Sequence, residues 1–470
     1  MQCSAITLIK DSYPFMKNSY SDNSDSPIPR FEQMLKTNEV YYFDAEDFEC
    51  IIQYYIDSGE INLAKKALHL ATKQHPVHSD LLLLKSELLI FDGADDQAKL
   101  LLEIIEELDP HNQEIFVQKA TIYSKNKEHR AAIELLQEAL QCSEELTEIW
   151  CLLGMEYMVI EDYYKAKENF KLCLNEDPED YQVLYNLLYC LEYLKKYEEA
   201  VEVLNSLLEK NPYNEIAWHE VGKQYLNLNR NEEALSAFDF AIISEDQFTG
   251  AYIEKGKVLE KMGRFNEAIE NFQISIQIDD PSSYAFLRIA KCHQALGNDM
   301  LALQYFKKSV QEDPASEKSW NAMIDFYIHL EDIEKAFYYT KKALIINEDC
   351  VGYNKRNALL LQTLKHYTEA EIAYQNTVQL GSYELEIWIE WMNTLIFLNE
   401  WEKLITIGHQ AKEFFPDADE IDFRIAGSYR RLSRLNEAEF FIQDLRKNKK
   451  EPTESLLNFF PEFKAIFNIS

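Results

Sequence analysis

Glycine and proline are scarce in this chain, 12 of each in 470 residues, against ordinary frequencies of roughly 7% and 5%. Sheet-rich or loop-rich folds of this length need more turn formers, so they are excluded first. Long apolar runs are missing too, and none approaches the roughly 18 residues of a membrane-spanning helix. Membrane insertion is therefore not expected. Positive charge is in deficit: 47 Lys and Arg face 81 Asp and Glu, a formal net charge of -34. That sign disfavours nucleic acid binding through phosphate neutralisation and adhesion to an anionic bilayer. The eight cysteines include no C-x2-C pair and no metal-type spacing. Cys151, Cys173, Cys190 and Cys292 read as small core residues, and free buried thiols suit a reducing cytoplasm.

Recognisable chemistry is also lacking. His219-Glu220 starts like a zinc-protease helix, but Lys223 stands where the second histidine belongs. Lys255-Gly256-Lys257 has no preceding glycine loop, and Gly-x-Ser-x-Gly is absent. The reading is a non-enzyme without catalytic, cofactor or metal residues.

What the chain does have is a period. Alanine recurs every 34 residues at Ala64, Ala98, Ala132, Ala166, Ala200, Ala234, Ala268, Ala302, Ala336 and Ala370, then Leu404 falls out of turn before Ala438. Sixteen residues earlier runs a mostly aromatic column that holds Trp150, Trp218, Trp320 and Trp388, with leucine at Leu82 and Leu184 and polar exceptions at Asn354 and Asp422. Four residues after the alanine the side chain is usually large, as at Leu136, Phe170, Phe238 and Phe272. Twelve after it, Pro76, Pro110, Pro178, Pro212, Pro314 and Pro416 close half the units. Trp150, Leu153, Gly154 and Tyr157 share one helical face, and Ala166, Phe170 and Cys173 share another, so each unit is a helix pair around a short polar turn. The small alanine permits close approach, and a larger residue there should cost roughly 1–3 kcal/mol through overpacking. Proline ends the second helix. One pair cannot bury its stripe alone, so neighbours stack.

Trp150-x2-Leu153-Gly154-x2-Tyr157, then Ala166-x3-Phe170, then Pro178 resembles the tetratricopeptide repeat throughout its pattern. Twelve copies keep register from about Ala45 to Pro452 without an insertion. The resemblance implies an all-α, right-handed solenoid of about twelve helix pairs, and it extends to bacterial proteins made almost wholly of such repeats. Residues 1–44 lie outside the repeat, with the polar run Ser19 to Pro29 read as disordered and Met1 to Ile9 too short in apolar residues for a secretory signal. Residues 453–470, with Leu456, Leu457, Phe459, Phe460, Phe463, Ile466 and Phe467, form an apolar tail expected to be a capping helix, or alternatively a partner-docking segment.

In tetratricopeptide arrays the resemblance implies a groove lined by the first helix of each pair, at the position after the aromatic column and four and eight residues further on. Lys223, Lys257 and Lys291 take the middle position in copies six to eight, with Lys261 nearby. Three lysines in phase suggest an acidic peptide or chain-terminal carboxylate as ligand; the bland alternative pairs each with a neighbour such as Glu254 or Glu260. Tyr185, Tyr189 and Tyr193 in copy five and Met155 in copy four offer an aromatic and thioether surface for peptide capture, or else pack inside a tight superhelix. The expected function is a cytoplasmic protein–protein interaction scaffold, with a peptide-responsive regulatory subunit as the alternative.

Overall fold

The computed structural model describes residues 26–37, 40–143, 146–279 and 281–469. The expectations for Met1 to Ile9 and for Ser19 to Asp25 lie outside the described residues. From Ala45 to Lys447 the chain forms twelve consecutive helix pairs, and no strand occurs among the described residues. Typical members are Glu215–Asn227 with Asn231–Ser244 and Thr249–Lys261 with Phe265–Ile278. The chain is organised as two compact units, Met1–Leu207 and Leu208–Ser470. The first holds pairs one to four and most of pair five; the second holds pairs six to twelve and the C-terminal segment.

The repeat is built from contacts that recur at the same step. Every alanine of the column from Ala64 to Ala438 is buried, as is Leu404. Leu404 is tolerated because Gly408, four residues on, takes the small side: a Cβ there would lie 2.7 Å from Ile425 Cγ1. Large and small have exchanged places along one helix face, which conserves volume. In pair six the contact is closer still, since a Cβ on Gly222 would overlap the Phe238 ring at Cε1.

The aromatic column has a polar duty as well. Trp218 Nε1 donates to the Pro212 carbonyl at 2.9 Å, and Trp320 Nε1 to the Pro314 carbonyl at 2.9 Å. Asn354 keeps that bond without the ring, its Nδ2 donating to the Glu348 carbonyl at 2.7 Å. Asp422, the other exception, is buried and paired with Lys412 at 2.7 Å.

A third column was not legible as such. The turn inside each pair holds one residue at positive φ, at a strict 34-residue step: Gly59, Gly93, Lys127, Glu161, Lys195, Asn229, Gly263, Gly297, Glu331, Lys365, Asn399 and Ser433. The next residue's N–H reaches back to the helix, as Arg230 N to the Tyr225 carbonyl at 2.8 Å and Asp332 N to the Tyr327 carbonyl at 3.0 Å. These are Schellman-type closures, which favour glycine. Only four of the twelve have it, in keeping with the low glycine content.

Both ends differ from expectation in detail. The polar run read as disordered ends inside a helix, Pro27–Thr37, which buries Phe31 and Met34. The Phe31 ring lies 6.0 Å from Phe43 and 6.1 Å from Tyr55, so residues ahead of the first repeat cover its apolar side. The tail forms two short helices, Glu454–Phe459 and Glu462–Phe467, where one was expected. Pro461, next to the first of them, explains the break.

Candidate functional site: the first-helix face

Three positions of each first helix define the face of interest: the residue after the aromatic column, then four and eight residues on. In the second unit, Lys223 bonds both oxygens of Glu220, at 2.8 and 3.0 Å. Glu220 is buried; burial resists its ionisation, but bonds from His219 and Lys223 prevail and hold its carboxyl below the usual range. Lys257 pairs with Glu254 at 2.6 Å and lies 5.6 Å from the Tyr284 ring centroid. Two of the three lysines in phase are thus neutralised on their own helix. Lys261 and Lys291 are exposed and make no ion pair with the described residues. Glu260, near Lys291, is ion-paired to Arg288 at 2.6 Å. Burial raises the Glu260 carboxyl's proton affinity despite Arg288 and Lys291.

Arg288 belongs to a set that sequence reading missed. Arg288, Arg356 and Arg424 recur every second repeat, two residues after the aromatic column. Each reaches back one pair: Arg288 to Glu260, Arg356 bidentately to Asp325 at 2.8 Å, and buried Arg424 to Asn393 Oδ1 at 2.9 Å. The signal was a 68-residue step, invisible to a search at 34. These links knit neighbouring first helices, so part of the face's charge is structural.

In the first unit, Tyr185, Tyr189 and Tyr193 are exposed by 44%, 51% and 59%, which makes them the largest open aromatic face on any one helix. The Tyr163 ring, from the preceding pair, lies tilted against Tyr193 at 3.9 Å and against Tyr189 at 6.0 Å, centroid to centroid. Burial and the Tyr189 hydroxyl push the Tyr163 phenol up to about 12, so it stays a neutral donor. Met155 is half-buried, with Val159 exposed one turn on. A second missed feature adjoins: Lys167, Lys171 and Lys196 surround Glu199, with Lys167 Nζ 2.9 Å and Lys196 Nζ 3.3 Å from its oxygens. Burial opposes ionisation of Glu199, yet the three ammonium groups hold it at about 2.

The last two pairs show the face covered. Phe423 and Gly427 take its first and middle positions in pair twelve, and Arg431 lies one turn beyond. The tail lies on them. The Phe463 and Phe467 rings sit 5.8 and 5.4 Å from Phe423, and Phe460 fills the space a Cβ on Gly427 would need, at 2.5 Å. Arg431 donates to the Phe459 carbonyl at 3.1 Å, and Phe397 of pair eleven meets the Phe459 ring at 5.4 Å.

Comparison with known proteins finds the repeat. Models described as tetratricopeptide repeat match residues 113–145, 147–180, 181–214, 249–280 and 284–316. This is a tetratricopeptide-repeat protein. The array is similar to the TPR repeat-containing protein YpiA of Bacillus subtilis, 26% identical over 161 residues, which is 34% of this chain and 38% of that protein. The chain thus matches well under half the length of that relative. Among solved structures it is similar to the C-terminal part of a TPR repeat-containing protein from Cytophaga hutchinsonii, with 12% identity, TM-score 0.43, 51% of this chain and 99% of that one. A tetratricopeptide repeat protein from Parabacteroides merdae gives 17% identity, TM-score 0.38, and 53% and 98% coverage. Repeats of this family support a protein–protein interaction scaffold, and members are typically non-catalytic. No described helix is long and apolar enough to cross a membrane.

Proposed function

We propose that this tetratricopeptide array is a non-enzymatic, cytoplasmic scaffold that binds peptide segments of protein partners along the first-helix face, without nucleic acid or cofactor. The observation that carries the reading is the chain's own tail: residues 453–470, which we assign as the cap, lay an aromatic segment on that face in pairs eleven and twelve. The same face in pair five presents Tyr185, Tyr189 and Tyr193 to solvent. Exposed tyrosines, two of them in ring contact with Tyr163, bring large contact area at low entropic cost. We assign the acidic part of a partner to Lys261 and Lys291, since Lys223 and Lys257 are engaged by buried or half-buried glutamates.

The test is affinity capture from native extract with a photo-crosslinker at exposed position 159, in the otherwise native chain and in the Tyr189→Ala/Tyr193→Ala and Lys261→Glu/Lys291→Glu backgrounds. The expected result is crosslinked peptides that the tyrosine variant loses, and reduced capture of acidic partners by the lysine variant, with helicity unchanged in both. Identical capture by all three proteins would overturn the reading. A regulatory role is the second reading, favoured by the tail's occupation of the same face, which a partner segment could displace. Partner capture that strengthens on Phe460→Ala/Phe463→Ala substitution would support it, and unchanged capture would count against it.

A further inference from the structure

First helices start in two ways: four of the twelve carry a side-chain N-cap, and eight, including the first of the second pair, do not. Where helices Gln113–Lys125, Tyr181–Tyr193, Glu215–Asn227 and Glu317–His329 begin, Asn112, Asp180, Asn214 and Ser316 accept backbone N–H bonds as N-caps. The equivalent residue before Ser79–Phe91 is His78, whose side chain makes no cap bond. Its Nδ1 instead faces Glu49 Oε1 at 3.6 Å and Asp80 Oδ2 at 3.8 Å. Glu49 sits on the preceding first helix, Ala45–Asp57, directly after the aromatic-column residue Phe48.

Neither His78 Nδ1 nor Glu49 Oε1 touches solvent, and neither has a hydrogen-bond partner. Two desolvated polar atoms thus face each other beyond bonding distance, with a second carboxylate beside them. The donor atoms of Glu49, His78 and Asp80 all lie within 4.8 Å of one another. Ligand atoms around a tetrahedral zinc ion, at about 2.0–2.2 Å from the metal, stand about 3.4 Å apart. The two distances from His78 are within a few tenths of an ångström of that spacing. A divalent cation placed among these donor atoms would satisfy all three groups at once.

We propose that Glu49, His78 and Asp80 form a zinc-class divalent cation site that ties the first helix pair to the second. One imidazole and two carboxylates supply three ligands, and water completes the fourth position on the open side. The sequence could not show it, because the ligands come from two helices 29 residues apart and have no motif spacing.

The full chain is titrated with ZnCl2 by calorimetry, and its melting temperature is followed with zinc and with EDTA. One saturable site is expected, with a melting temperature that rises with zinc and falls back with EDTA. His78→Asn and Glu49→Gln should each weaken that site roughly 100-fold, whereas His366→Ala, which alters a surface His–Glu pair, should leave it intact. His78→Asn also restores a capping side chain, so its metal-free melting temperature should equal or exceed the wild type's. Absence of a saturable site in the wild type would overturn the proposal. So would a site that survives both ligand substitutions, or one lost with His366.

Discussion

Single residues decide how tightly each pair closes. Gly222 is the sharpest case, because a Cβ there would overlap the Phe238 ring. Gly222→Ala should lower stability by about 1–3 kcal/mol, measured by chemical denaturation. Glu114 marks the opposite situation. Burial pushes its carboxyl up to about 7, although Gln118 donates to it at 3.0 Å. The unfolded chain ionises Glu114 near its ordinary value of 4.5, so between about pH 4.5 and 7 folding takes up a proton. The folded state then loses stability as pH rises through that window. Glu114→Gln should therefore stabilise the protein at pH 8, by about 1–3 kcal/mol, with the gain vanishing near pH 4.5. A melting-temperature profile of both proteins against pH checks the sign.

At the scale of the helix pair, the left-handed turn column is the feature most open to improvement. Glu331 and Lys365 hold φ of 57° and 63°, a conformation that disfavours residues with a Cβ by roughly 1–2 kcal/mol. Glu331→Gly with Lys365→Gly should raise the melting temperature, offset in part by the greater freedom of glycine in the unfolded chain. An unchanged or lower value would show that side-chain contacts in the turn outweigh backbone strain. The helices themselves were legible, since the alanine column, the aromatic column and the closing prolines carry the 3.6-residue pattern directly. Exceptions such as Asn354 and Leu404 were visible but unexplained, because a shared carbonyl partner and a size exchange with Gly408 exist only between elements. The turn column stayed hidden because lysine, glutamate, asparagine, serine and glycine have no common property in sequence except tolerance of that φ.

Across the whole molecule, net charge has the widest reach. A net charge of -34 is spread over repeats whose ion pairs, such as Arg230 with Glu233 and Arg264 with Glu267, are surface pairs three residues apart. Exposed pairs of this kind contribute little, whereas repulsion of like charge acts on the whole folded chain. Raising salt from about 10 to 150 mM shortens the screening length to about 8 Å, so the melting temperature should rise. A fall would mean that the paired charges outweigh the unpaired acid. The candidate face was only half legible at this scale. Its positions are those the family resemblance implies, and Tyr185, Tyr189 and Tyr193 are exposed there. Which lysines are left over does not follow, because Glu220 and Glu254 claim Lys223 and Lys257 and leave Lys261 and Lys291.

The sequence alone determined the unit, its number and its register, because a fixed step in small, aromatic and helix-ending residues is a property of local geometry and needs no knowledge of neighbours. Tertiary structure decided which exposed groups remain available. Packing one helix against the next gives Arg288, Arg356 and Arg424 their partners, lays the tail on Phe423 and Gly427, and brings His78 to Glu49. Each of those outcomes depends on distances across separate elements, and residue order carries no direct record of them.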